Sequence, residues 1–193
     1  MRTWILTLAL APAAVHAEPA PASSRFVEGG MTFGAAEPVI GWNLMATVAA
    51  GIQIAGPWWA HAAFAYGPTI DNLGGHGLNN GRNLAVHAGA EGRWCSSRAG
   101  ALCGIAGLDL GGQHGSWEPN NGYLMSASST ALVAIPRVGL DVGTTRIRAR
   151  LDLEADAALV SRHHEVYDPM YPTTRSPSGI LGIELAAGVW LAW

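Results

Sequence analysis

The chain of 193 residues contains no lysine; all 11 of its Lys+Arg residues are arginines. Charge is scarce altogether, at 13% of residues, and the net charge is −3. Scattered arginines on a mildly acidic chain exclude a nucleic-acid module built on a basic patch. Long unbroken apolar runs are missing as well. From Pro38 to Ile70 there is no charged residue, yet Asn43, Gln53 and the Gly56-Pro57 pair interrupt the stretch. No clean 18-residue apolar core remains for a membrane-spanning helix. The two cysteines lack the second ligand pair that a structural zinc site needs. Disorder is excluded by the opposite argument, because mean hydropathy is positive and charges are few.

What is present is glycine (25 residues), tryptophan (8) and a 49% hydrophobic composition, in a length that allows one domain or two small ones. The N-terminus has the anatomy of a secretory signal: Met1-Arg2, the apolar run Trp4–Ala11, then Val15-His16-Ala17 with small residues at the −3 and −1 positions. Cleavage is expected after Ala17. The run is too short for an uncleaved anchor. Residues 18–24 read as a flexible leader, and residues 25–193 as one domain.

The mature chain has period two. Arg146, Arg148, Arg150, Asp152, Glu154 and Asp156 take even positions, and Ile147, Ala149, Leu151, Leu153, Ala155, Ala157 and Leu159 take odd ones. A helix would smear these charges around its circumference, whereas a strand lines them on one face. Similar alternation marks strands over 26–34, 43–54, 58–67, 83–94, 103–113, 129–142, 146–159 and 181–193. The connections alternate. Residues 55–57, 96–102 and 143–145 are short, while 35–42, 68–82, 114–128 and 160–179 are longer and more polar. Eight strands with three short turns at one end and four long loops at the other fit an antiparallel up-and-down barrel. In lipid such strands must close, because an unpaired backbone edge costs several kcal/mol per group. Phe26, Trp58, Trp94 and Trp193 are expected as interface aromatics at the short-turn end, with Tyr66 near the other.

The terminal segment Leu185, Ala187, Val189, Leu191 and Trp193 alternates and ends on an aromatic. It resembles the C-terminal assembly signal of bacterial outer-membrane barrels, and with the signal segment and eight strands the whole mature chain resembles the small OmpA-type barrels. That resemblance implies insertion by the barrel-assembly machinery, contact with outer-membrane lipid and lipopolysaccharide, and periplasmic termini. A monomer is expected.

Parity points Glu28, Glu91, Arg93, Asp109, Arg137, Asp141, Arg146, Arg148, Arg150, Asp152, Glu154, Asp156 and Glu184 inward, with His61 and His87 nearby. An eight-stranded barrel is only wide enough for side chains to fill, so the expectation is a plug of paired charges; the alternative is a narrow ion pore. Cys95 and Cys103 flank a short turn with shared inward parity, and an oxidising periplasm favours a disulfide between them. Two clusters suggest chemistry. Arg162-His163-His164-Glu165, with Asp168, carries metal-ligand residue types at a spacing that matches no strong motif. His114-Gly115-Ser116, with Glu118, offers a base, a hydroxyl and a carboxylate, and resembles the His-x-Ser of outer-membrane lipid A deacylases. The reading favoured is a non-enzymatic barrel without catalytic residues, metal or cofactor, acting structurally or through its outer loops. The alternatives are a lipid A or phospholipid hydrolase using His114 and Ser116, or the ion pore.

Overall fold

The computed structural model describes residues 25–36, 41–70, 81–96, 102–117, 124–144, 146–167 and 181–193. Residues 1–24 and most of the longer connections lie outside the described residues. Eight strands follow in chain order: β1 (Arg25–Ala36), β2 (Gly41–Ala55), β3 (Trp58–Ile70), β4 (Gly81–Cys95), β5 (Leu102–Trp117), β6 (Leu124–Gly143), β7 (Ile147–Tyr167) and β8 (Leu181–Ala192). Each pairs antiparallel with its neighbour, and β8 pairs back onto β1 from Phe26↔Ala192 to Ala35↔Ile183, so the sheet closes on itself. No edge is left to face lipid.

The alternation that makes these strands also turns the protein inside out. Val48, Ile52, Phe64, Val86, Leu110, Val138, Leu140, Leu151 and Leu153 all project outward and are about half exposed. A soluble monomer rarely leaves so continuous an apolar surface uncovered. The buried face is instead rich in Arg, Asp, Glu and His. Small residues make room for it. A Cβ on Gly139 would stand 1.8 Å from Asp152 Oδ1, and one on Gly89 2.1 Å from Asp109 Oδ1, so both carboxylates lie where only glycine lets them.

Turn chemistry holds the short-connection end. Gly56 takes φ +52°, a left-handed conformation that glycine adopts without penalty, and Gln53 Nε2 donates to its carbonyl at 2.6 Å. Between β6 and β7, Thr144 Oγ1 accepts from the amide of Ile147 at 3.1 Å. This turn corrects one expectation: Arg146 lies in the bend before β7, exposed, rather than in the interior.

Three strands run four or more residues beyond the expected ends. β5 continues to Trp117, β6 begins at Leu124 and β7 reaches Tyr167. His114 and Ser116 therefore sit in β5, and residues 162–165 in β7, not in loops. Within β7 the register slips: Leu132 pairs with Val160, but Val133 pairs with Ala158, so Leu159 is an extra residue. Leu159 and Val160 are both exposed. Such a bulge reverses the parity of everything beyond it.

Candidate functional site: the charged interior and the outer rim

The interior is built from the short-turn end upward. At the bottom, Phe26, Trp59 and Trp190 form an aromatic cluster with ring centroids 5.5–5.8 Å apart. The Arg93 guanidinium lies 4.5 Å from the Trp190 centroid, 4.9 Å from Phe26 and 5.0 Å from Trp59. Rings of this kind attract a cation through the negative charge of their faces, and more strongly when both are desolvated. Phe26 is thus an interior residue, only 2% exposed, and not an interface aromatic. Its parity matches Glu28 and Thr32. Trp58, Trp94, Tyr66 and Trp193 do project outward, and Trp58 and Trp94 meet edge to face at 5.9 Å.

Above the aromatics, ion pairs cross the lumen. Arg93 Nη2 stands 2.5 Å from Glu91 Oε1, and Arg148 Nε 2.5 Å from Asp141 Oδ1. Arg150 bonds to carboxylates from three strands: Glu91 at 2.7 Å, Asp152 at 2.5 Å and Glu28 at 3.1 Å. Arg137 reaches Glu91 at 2.8 Å. Glu91 is therefore shared by three guanidinium groups while being wholly buried. One layer higher, Asp109 gathers His61 at 2.9 Å, His87 at 2.6 Å and Arg137 at 3.5 Å. Arg137 also contacts the His61 ring directly. Periodicity puts both histidines on the inward side, but that they share Asp109 follows only from the closed barrel.

The top layer differs. Glu154, Asp156 and Glu184 are buried on the same face, with Glu154 and Glu184 directly opposite across β7 and β8. None has an arginine within ion-pair distance among the described residues. Gln113 Nε2 donates to Asp156 Oδ2 at 2.5 Å, and Asn83 donates to Asn43 nearby. The arginines are thus concentrated in the lower interior and the surplus acids above them.

The cysteines form a disulfide between directly opposed positions of β4 and β5. Cys103 is buried on the inward face, and Cys95, bonded to it from the opposed position, shares that face while lying exposed at the barrel end. Arg148 Nη2 donates to Cys103 Sγ at 2.9 Å. Leu185, Ala187, Val189 and Leu191 face outward on β8, and Trp193 just beyond it is exposed as well.

On the outer surface, His114 and Ser116 share one face of β5. His114 Nδ1 lies 2.9 Å from Thr130 Oγ1, so the imidazole meets a hydroxyl and not the carboxylate that an acyl-transfer triad uses to orient its base. Glu118 lies outside the described residues, as do the side chains of His163, His164 and Glu165. Among the described residues no group of three His, Cys, Asp or Glu could hold a metal ion.

Neither the protein-family models nor the curated sequences yield a match to this chain. Solved structures do. Neisserial surface protein A (NspA) superposes with a TM-score of 0.61 over 88% of this chain and 96% of its own, at 10% identity. The N-terminal β-barrel domain of Pseudomonas aeruginosa OprF gives 0.55 over 88% and 98%, at 11% identity. Ail, the attachment invasion locus protein of Yersinia pestis, gives 0.51 over 89% and 97%, at 10% identity. The chain has the fold of a small outer-membrane β-barrel. At these identities the likeness is one of fold, and it covers nearly the whole of each partner.

Proposed function

We propose that this outer-membrane barrel is a non-enzymatic protein of the bacterial surface, acting structurally or through the four connections at its long-loop end. The observation that carries this reading is the interior. Four buried arginines are tied to acids or rings from strands all around the barrel, and an aromatic cluster closes the bottom. An eight-stranded barrel has no width to spare for a continuous water path past such side chains. Ions have no open route, and the outward His114 has no carboxylate orienter among the described residues. The two solved neighbours named as a surface protein and an attachment invasion locus protein agree with a surface role. Export by a signal cleaved after Ala17, periplasmic termini and assembly by the barrel-assembly machinery belong to the same reading.

Planar-bilayer recording of the purified protein tests it, together with a lipid A deacylation assay on the wild type and on Ser116→Ala. The expected result is no steady conductance and no acyl release from either protein. Unitary currents would replace this reading with the pore. Acyl release lost in Ser116→Ala would replace it with the hydrolase.

A further inference from the structure

The disulfide is built unequally at its two sulfurs. Both cysteines share the inward face at the short-turn end, where Cys95 directly opposes Cys103 across β4 and β5. Cys103 is 1% exposed, whereas Cys95, the last residue of β4, is exposed at the barrel end. A staple that only tied two strands together would be indifferent to that difference. Thiol–disulfide exchange is not, because an attacking thiolate must reach one sulfur while the other leaves as an anion.

The buried sulfur faces a fixed cation. Arg148 of β7 pairs with Gly143 of β6, and Asp141, two residues earlier on β6, pairs with Cys103 of β5. Glycine puts no side chain at position 143, so the buried guanidinium reaches across β6 and gives each of its nitrogens a separate partner. Nε stands 2.5 Å from Asp141 Oδ1, Nη1 donates to the Thr144 carbonyl at 3.2 Å, and Nη2 donates to Cys103 Sγ at 2.9 Å. The carboxylate and the turn hold the planar fork, and its remaining nitrogen meets one sulfur of the pair. Asp141 does not cancel this charge alone, since its other oxygen lies 3.9 Å from Arg93 Nη1. A guanidinium beside a cysteine sulfur stabilises the thiolate, and a sulfur that leaves more readily as thiolate is displaced faster.

We propose that Cys95–Cys103 is a polarised exchange site, opened by an external thiol that attacks Cys95 Sγ and expels Cys103 as a thiolate held by Arg148. In the first step the thiolate sulfur bonds to Cys95 Sγ, the bond between the two cysteine sulfurs breaks, and its electron pair stays on Cys103 Sγ. A second thiolate then attacks the first reagent's sulfur in the mixed disulfide and displaces Cys95 as a thiolate. The protein disulfide gains two electrons, and two thiols become one disulfide. The barrel stays closed throughout, because β4 and β5 remain paired from Arg82↔Ser116 to Trp94↔Gly104. That the attacking thiol is a periplasmic one rests on the reading that the short-turn end faces the periplasm.

Reduction of the purified mature protein in detergent micelles by excess 2-mercaptoethanol, an uncharged thiol, tests the site. Time points are quenched in acid and the cysteine peptides mapped by mass spectrometry. The transient mixed disulfide is expected on Cys95. Arg148→Gln removes a charge-assisted contact to the leaving sulfur and is expected to slow reduction about tenfold. Asp141→Asn leaves the Arg148 charge without its carboxylate partner and is expected to speed reduction. A purely mechanical staple would respond to both changes alike, by loosening, so the opposed directions identify polarisation. Arg146→Gln removes an exposed charge at the same end and is expected to leave the rate unchanged. Heat-shifted gel mobility verifies the folding of each variant. An adduct on Cys103, reduction of Arg148→Gln at or above the wild-type rate, reduction of Asp141→Asn at or below it, or equal slowing in Arg146→Gln would each overturn the proposal. These rates do not depend on which side of the membrane the disulfide faces. A reductant that cannot cross the outer membrane tests that separately: reduction only after permeabilisation agrees with a periplasmic end, whereas reduction in intact cells would remove that placement and leave the exchange site standing.

Discussion

Arg150 holds carboxylates from β1, β4 and β7 on one guanidinium group, so its replacement affects three buried anions at once. Breaking a buried pair from one side costs about 3–5 kcal/mol, because the partner's charge stays desolvated without compensation. Arg150→Leu is expected to be destabilising by that order in urea unfolding from lipid vesicles. Leu153, three residues on and 51% exposed, faces the other way. Leu153→Arg is expected to cost about 2–4 kcal/mol if it lies near the bilayer midplane, whereas Leu153→Ile stays close to neutral. Tolerance of Leu153→Arg combined with a harmless Arg150→Leu would mean that the register is off by one residue, since a one-residue slip exchanges the two faces.

At the scale of elements, the short connections and the closing strand matter most. The disulfide joins the ends of β4 and β5 across the connection that begins at Ser96. Closing so small a ring contributes roughly 2–3 kcal/mol in the chain-entropy picture. Cys95 and Cys103 of the exported protein are expected to resist alkylation until a reductant is added; free thiols in the untreated protein would refute the staple. β8 closes the barrel against β1 and is followed by the outward Trp193. Deleting Trp193 is expected to impair membrane insertion while export continues, and normal insertion of the truncated chain would remove its role as an assembly signal. Pulse-chase fractionation distinguishes these outcomes.

For the whole molecule, closure is the property with a direct readout. All eight strands bond to two neighbours, so no strand can peel from an edge. The purified protein is expected to give a β-dominated circular dichroism spectrum and to migrate faster on unheated than on heated detergent gels. Equal mobility with a helical spectrum would contradict the closed barrel.

Periodicity by itself determined the architecture, because a strand puts alternate residues on opposite faces whatever its neighbours are. In Ile147–Ala157 the apolar set could only be a lipid face and the charged set only a lumen. The same logic located Trp58, Trp94 and Trp193 on the outside. What tertiary structure alone decided was which charge meets which. Arg150 and Glu28 are 122 residues apart in sequence, and Arg137 and His61 are 76 apart; they meet only because β1 and β8 close the ring. Local departures from alternation were equally hidden. A turn carries Arg146 out of the interior, and one inserted residue, Leu159, turns Arg162 outward. A bulge adds a residue without any compositional mark, since its cause is the pairing of two strands and not the preference of one.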